Sequence, residues 1–65
     1  MEVYQERVMD EKTDLDLKLT ELFKFLNSSE KVKTVSEEEL KRMNRQFAIM
    51  GMYSDILQER IINFK

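Results

Sequence analysis

The sequence predicts an all-α protein: an antiparallel hairpin of two long helices that assembles into a compact helical homo-oligomer. Three observations lead to this fold class. Apolar residues recur every three or four positions over two stretches, which is the spacing of one face of a helix. Neither stretch contains a proline, and the single glycine of the 65 residues is Gly51. The polar segment between the stretches is short, and short connections join antiparallel helices.

The first helix is predicted over residues 3–26. Its apolar face consists of Val8, Leu15, Leu19, Leu22 and Leu26, and Tyr4 extends it by one turn. Glu11 and Lys12 interrupt this face, so the apolar stripe is weaker toward the N-terminus. Asp14 and Lys18 are four residues apart, which is the spacing at which opposite charges pair on a helix.

The connection is predicted over residues 27–35 and the second helix over residues 36–64. Asn27 ends the first helix, since Asn tolerates the left-handed backbone of a helix cap. Ser36 and Glu39 have the spacing of a capping box, in which each side chain accepts a hydrogen bond from the other residue's backbone N–H. The apolar seam of the second helix consists of Leu40, Met43, Phe47, Met50, Leu57, Ile61 and Phe64, with Ser54 at the one vacant position.

Each helix has more apolar surface than one partner helix covers. A second stripe beside the main seam consists of Ile49, Tyr53 and Ile56. Residues 1–65 make a single domain whose core contributes only about 3–5 kcal/mol, so oligomerisation is the expected means of stabilisation. Gly51 and Ser54 remove side-chain bulk and would let another backbone come close. The alternative is that Gly51 is merely tolerated, at a cost of about 1 kcal/mol relative to Ala.

Composition argues against several functions. The chain has no His and no Cys, so it lacks the commonest general base and the commonest soft metal ligands. We therefore expect no catalytic residues, no cofactor and no metal. The net charge of −2 argues against a nucleic-acid polymer as partner. There is no apolar run near the ~20 residues of a membrane span and no signal peptide, so we expect no membrane partner and a cytoplasmic location.

Candidate binding residues lie near the two ends of the chain. Tyr4 and Arg7 share a helix face, and a flat ring beside a guanidinium suits a nucleobase joined to a phosphate. The alternative is that Tyr4 belongs to the core and Arg7 is a surface charge. Lys18 has a similar alternative, because Asp14 is placed to pair with it. Arg60 suits the negative end of a helix dipole, but in a hairpin it also lies at the same end as Tyr4.

Both ends of the chain resemble a family of small tailed-phage proteins that includes the anti-CBASS sponges, which sequester the cyclic oligonucleotide signals of bacterial immunity. At the N-terminal end the resemblance is carried by Tyr4-Gln5-Glu6-Arg7-Val8, Glu11-Lys12, Asp14-Leu15-Asp16, Lys18-Leu19, Leu22 and Phe25. At the C-terminal end it is carried by Gln46, Met50, Tyr53, Ile56-Leu57, Glu59-Arg60-Ile61 and Phe64.

The resemblance implies a homohexamer in the cytoplasm of the infected bacterial host. It would bind cyclic dinucleotides and, in separate pockets, cyclic trinucleotides, and would not cleave either. The family's tyrosine and lysine contacts to the cyclic dinucleotide match Tyr4 and Lys18, with Lys12 and Lys24 as open alternatives for the lysine. Its arginine contact to the cyclic trinucleotide matches Arg60. A function of a different class stays open: a helical protein-interaction or structural module of the phage with no small ligand.

Overall fold

Helices account for most of the chain. The computed structural model describes residues 1–64, and Lys65, the last residue of the predicted domain, lies outside the described residues. The elements in chain order are α1 (Val3–Leu26), α2 (Ser29–Val32) and α3 (Glu37–Ile62). None of residues 1–64 lies in a β-strand, so the all-α prediction is confirmed. None of the described helices combines the length and apolar character that crossing a bilayer requires.

The two long helices, α1 and α3, pack side by side in opposite directions. The rings of Tyr4 and Phe64 are 5.8 Å apart between centroids, which joins the start of α1 to the end of α3. The rings of Phe23 and Phe47 are 6.0 Å apart, which joins the other end of α1 to the first half of α3. The described chain extends 46 × 15 × 14 Å, so it is a rod one pair of helices thick.

The start of α3 forms half of the predicted capping box. Ser36 is the N-cap, and its Oγ accepts a hydrogen bond from the backbone N–H of Glu39 at 3.1 Å. The predicted return bond from the Glu39 side chain is not formed within residues 1–64, because Glu39 Oε1 accepts from Arg42 Nε at 2.9 Å instead. The helix spans Glu37–Ile62, so the predicted range of 36–64 was too long by the cap residue and by two residues at its end.

Both long helices end at an asparagine, and Asn27 lacks the left-handed backbone that the sequence predicted for it. Asn27 has φ −97° and Asn63 has φ −103°, and no described residue has a positive φ. Each side-chain amide donates to the backbone carbonyl four residues earlier: Asn27 to Phe23 O at 2.8 Å and Asn63 to Glu59 O at 2.7 Å. Phe23 O also accepts the backbone N–H of Asn27 at 3.0 Å, so the Asn27 amide adds a second hydrogen bond to that carbonyl.

The core lies along the facing seams of α1 and α3. Its buried apolar residues are Val8, Leu15 and Leu57, against which Met50, Ile61 and Phe64 pack. The predicted seam of α3 is therefore the face that meets α1. At the start of α1 the prediction was wrong: Gln5 is 5% exposed and takes the seam position, whereas Tyr4 is 55% exposed. Gln5 tolerates this burial because its Oε1 accepts from the backbone N–H of Glu2 at 2.9 Å.

Candidate functional site

The antiparallel packing of α1 and α3 gathers several candidate residues at one end of the rod. We call this end the Tyr4 pole and define it by Tyr4, Arg7, Arg60 and Phe64. The Tyr4 ring meets the Phe64 ring edge to face, at an interplanar angle of 80°. The Tyr4 hydroxyl also accepts a 3.5 Å hydrogen bond from Gln5 Nε2. With 55% of Tyr4 exposed, the ring is held by its neighbours and remains accessible, so the alternative that Tyr4 is a core residue is wrong.

Two arginines flank the exposed ring at the Tyr4 pole. Arg7 lies one turn beyond Tyr4 on α1, and Arg60 lies one turn before Phe64 on the antiparallel α3. Both are exposed, and within residues 1–64 neither forms an ion pair. A guanidinium presents paired N–H donors that fit two oxygens of one phosphate. The pole therefore combines an aromatic surface with phosphate-binding groups.

The three candidate lysines of α1 differ in whether their charge is paired with a nearby carboxylate. Lys12 Nζ lies 2.7 Å from an Asp16 carboxylate oxygen, so this lysine is already engaged inside the helix pair. Lys24 lies 3.6 Å from Glu21 on the surface. Lys18 is exposed, and its predicted ion pair with Asp14 is not formed in the part of the chain that the structure describes. Lys18 is thus the lysine whose charge is most available to a ligand.

A polar cluster crosses the middle of the helix pair, and sequence reasoning missed it. Ser54, 7% exposed, donates to Asp16 Oδ1 at 2.6 Å and accepts from Lys12 Nζ at 3.0 Å. The hydrogen bond from Lys12, and then that from Ser54, lower the pKa of Asp16 below its ordinary value of 3.8, against a smaller opposing effect of burial. A signal was present: Lys12 lies three residues before Leu15 and four after Val8, so it fills a seam position of α1 opposite Ser54.

A shallow depression on α3 lies away from the Tyr4 pole. It has a volume of about 390 Å³ and is lined by Arg42, Arg45, Gln46, Ile49 and Met50. Sequence reasoning did not single out either arginine, although their spacing from Ile49 places all three on one face of the helix. Arg45 and Arg60 are fifteen residues apart, about 22 Å along the helix, so the depression is separate from the pole.

The fold and the pole together define a class of protein. A small helical hairpin that displays an aromatic ring at the same end as two guanidinium groups, neither of them ion-paired within residues 1–64, is suited to bind an aromatic, anionic ligand. Within residues 1–64, no group of three or more acidic side chains is placed to hold a metal ion. The aromatic ring and the guanidinium groups of the pole favour binding through stacking and charged hydrogen bonds.

Comparison with known proteins identifies the family. The family model described as Sequestin matches residues 2–63. The chain is also 43% identical, over the full length of both sequences, to an "Uncharacterized 7.5 kDa protein in denB-rIIB intergenic region" of Enterobacteria phage T4. No solved structure matches the chain. The protein belongs to the Sequestin family, the anti-CBASS sponges, whose role at the level of the family is to sequester cyclic nucleotides. The resemblance seen in the sequence is thereby confirmed.

Proposed function

We propose that this protein captures cyclic oligonucleotide second messengers in the cytoplasm of the infected host and withholds them from their effectors without cleaving them. The observation that carries the proposal is the match to the Sequestin family over residues 2–63. The Tyr4 pole supports it, because stacking on Tyr4 and charged hydrogen bonds from Arg7 suit the bases and phosphates of such a ligand. Cyclic dinucleotides are the first ligand class, and cyclic trinucleotides are the second.

The cyclic dinucleotide site in this proposal lies between two protomers. Tyr4 and Lys18 are fourteen residues apart on α1, a separation of about 21 Å. One cyclic dinucleotide does not span that distance, so the two contacts come from different protomers whose α1 helices run in opposite directions. The two-fold axis of such a pair relates two equivalent sites, each with one Tyr4 and one Lys18, so one pair of protomers would hold two ligands. Arg7, one turn beyond Tyr4, adds a phosphate contact.

The cyclic trinucleotide site uses Arg60. This residue is on α3, whereas the residues proposed for the dinucleotide are on α1, so the two ligands have separate protein contacts. The exposed guanidinium of Arg60 forms no ion pair within residues 1–64 and so has its donors available for phosphate oxygens.

The proposed sponge is a homohexamer. Within residues 1–64, only Val8, Leu15 and Leu57 form the buried apolar core, and a core of this size gives a small domain little stability by itself. Large apolar side chains stay exposed on both long helices; those more than half exposed include Leu17 and Phe23 on α1 and Met52, Ile56 and Ile62 on α3. Packing these surfaces between copies would supply the missing burial and would bring the Tyr4 and Lys18 contacts of different protomers together.

The same exposed surface supports a second candidate function. Ile49, Met52 and Ile56 are 63%, 66% and 54% exposed and lie at helical spacing on α3. A stripe of this kind docks into an apolar groove of another protein. In that case the protein would be a helical interaction module with no small ligand.

One titration separates the two functions. The purified protein is mixed with a cyclic dinucleotide, a cyclic trinucleotide or the matching linear dinucleotide, and its thermal unfolding and heat of binding are followed. A cyclic ligand at one hundred times its dissociation constant should raise the free energy of unfolding by about 2.7 kcal/mol. Mass spectrometry of the ligand released by heating should find it intact. If none of the cyclic ligands shifts unfolding, the interaction module is the better function.

A further inference from the structure

The depression on α3 has the composition of a ligand site of its own. We call it the arginine depression and define it by its lining residues, Arg42, Arg45, Gln46, Ile49 and Met50. Its volume is about 390 Å³, and it is open to solvent along one face of the helix. All five residues come from the same two turns of α3, so one rigid helix positions them.

The two arginines of the depression differ in how much of their charge is available. Arg42 donates through Nε to Glu39 at 2.9 Å, so its terminal N–H groups remain for a ligand while its charge is partly compensated. Arg45 forms no ion pair within residues 1–64. The residues are three apart, which brings their Cβ atoms to about 5–6 Å. Both guanidinium groups therefore reach one phosphate, with Arg45 as the stronger partner.

The other lining residues offer surfaces for the base of a ligand whose phosphate is bound by the two arginines. Ile49 is 63% exposed one turn beyond Arg45. Its neighbour Met50 packs against the core and adds a partly buried apolar surface. Gln46, between the arginines and this surface, offers an amide donor and an amide acceptor to the polar edge of a base. A carboxylate of an acidic peptide would satisfy the arginines but would leave the amide and the apolar surface unused.

We propose that the arginine depression binds a nucleoside phosphate, with the phosphate at Arg45 and Arg42 and the base over Ile49 and Met50. The site lies about 22 Å from Arg60 along α3 and does not depend on the proposed capture of cyclic nucleotides at the Tyr4 pole. Each protomer carries its own copy, complete within one helix. A mononucleotide thus suffices as ligand, whereas the Tyr4–Lys18 site needs a ligand held between protomers.

The test is a titration of the full chain with adenosine 5′-monophosphate, observed by NMR of the backbone amides and the arginine Nε–H groups. Shifts should appear along residues 42–50, and the Arg45 Nε–H signal should shift most. Arg45→Gln removes the guanidinium group that would bind the phosphate. It should weaken binding of the mononucleotide about tenfold or more, since charged hydrogen bonds to the phosphate are lost. The matched control, Lys41→Gln, removes the same charge from a residue outside the depression and should change the affinity less than about twofold.

A second variant tests the difference between the two arginines. Glu39→Gln removes the carboxylate that occupies Arg42 and should strengthen binding of the mononucleotide.

Equal weakening by Arg45→Gln and Lys41→Gln would overturn the proposal, because it would show only a general effect of charge. NMR shifts confined to the Tyr4 pole would also overturn it. Shifts along residues 42–50 that follow the protein concentration and not the nucleotide concentration would do the same, because they would make the depression a contact between copies. An acidic peptide that binds more tightly than the mononucleotide would also overturn it.

Discussion

Tyr4 supplies the aromatic surface of the proposed cyclic dinucleotide site. Tyr4→Ala removes a ring that stacks on a base and should weaken cyclic dinucleotide binding roughly ten- to hundredfold, given ~1–3 kcal/mol per stacked base. Calorimetry measures the affinity, and light scattering checks that the assembly is unchanged. Tyr4→Phe keeps the ring and loses only a 3.5 Å hydrogen bond to the hydroxyl, so it should bind nearly as well as the wild type.

Arg60→Ala is the reciprocal control for Tyr4→Ala. It should impair cyclic trinucleotide capture and leave cyclic dinucleotide capture unchanged, whereas Tyr4→Ala should do the reverse. Equal loss of both ligands in Arg60→Ala would contradict the separation of the two sites. Dissociation of Tyr4→Ala into monomers would show instead that the ring is needed for assembly.

Asp16 should make stability depend on pH in the acid range. Because Lys12 and Ser54 lower its pKa below 3.8 in the folded protein, the folded state binds a proton less readily than the unfolded state. The stabilisation is therefore complete above the unfolded-state pKa of about 3.9 and is lost as the pH falls through the folded-state value. The loss should be under about 1 kcal/mol, since the Asp16 side chain is 44% exposed and solvent screens its pair.

Urea unfolding between pH 6 and pH 3, at one fixed protein concentration, measures this loss. Asp16→Asn should flatten the pH dependence of the free energy of unfolding, because the amide does not titrate. Asp14→Asn, which removes a neighbouring carboxylate that forms no ion pair within residues 1–64, should leave the dependence as in the wild type. An unchanged slope in Asp16→Asn would assign the acid sensitivity to other carboxylates.

At single positions, the sequence pattern did not predict which side chain is buried or which partner it bonds to. The periodicity of α1 identified an apolar face, but at its start two neighbouring residues, Tyr4 and Gln5, competed for the seam. Tyr4 was assigned to the seam because it lies one turn before Val8. In the structure Gln5 is buried instead, with its side chain accepting a hydrogen bond from the backbone N–H of Glu2. Likewise, Lys12 was described as an interruption, because apolar periodicity does not show that a lysine and a serine on opposite helices share a carboxylate.

The two long helices themselves were the most predictable part of the molecule. Apolar residues at alternating steps of three and four define a face whatever the details of packing, so the seam of α3 was identified directly from its sequence. The helix ends were less predictable, since capping side chains had other partners available. Glu39 could bond to Ser36 or to Arg42, and only the packed helix determines that it bonds to Arg42.

Gly51 is a position where α3 should gain stability from a substitution. A Cβ added there meets no atom within 4 Å, and Ala is about 1 kcal/mol better than Gly inside a helix. Gly51→Ala should therefore raise the free energy of unfolding by up to about 1 kcal/mol. Ser54, which the sequence grouped with Gly51 as a small contact for another chain, is instead buried against α1 and bonded to Asp16.

Thermal unfolding at several protein concentrations tests the Gly51→Ala prediction. The gain in stability should be the same at each concentration, because it arises within one helix. A loss that grows as the concentration rises would show that another copy packs against Gly51 in the assembly. Ala48→Gly, an exposed position one turn earlier in the same helix, is the reverse control and should lower stability by a similar amount.

The molecule as a whole shows why the candidate site was predictable only in part. Residues at the Tyr4 pole were found because their sequence motifs resemble a known family and because an antiparallel pair brings the two chain ends together. The arginine depression was not found, since Arg42 and Arg45 follow no motif and the five lining residues form one surface only on the folded helix. The proposed contacts between copies would depend on surfaces that one chain presents but does not complete.

Self-association should depend on the exposed apolar stripe of α3. Ile56 is 54% exposed, and in the proposed homohexamer it is covered by another copy. Ile56→Glu would place a charge in that apolar contact, where it has no partner, so the variant should dissociate toward smaller species at micromolar concentration. Sedimentation velocity measures the change in mass, and cyclic dinucleotide binding should fall with it, because the Tyr4–Lys18 site requires two protomers.

The matched control for Ile56→Glu is Ser29→Glu. It adds the same charge at an exposed residue of α2, where an acidic side chain in the first turn of a helix is favourable. Ser29→Glu should therefore keep both the mass of the assembly and the affinity for the cyclic dinucleotide. If Ile56→Glu keeps the wild-type mass and still binds, the stripe is not the contact between copies. If the wild type itself sediments as a folded single chain, a pocket shared between protomers is ruled out, and the stripe is then a surface for a different protein.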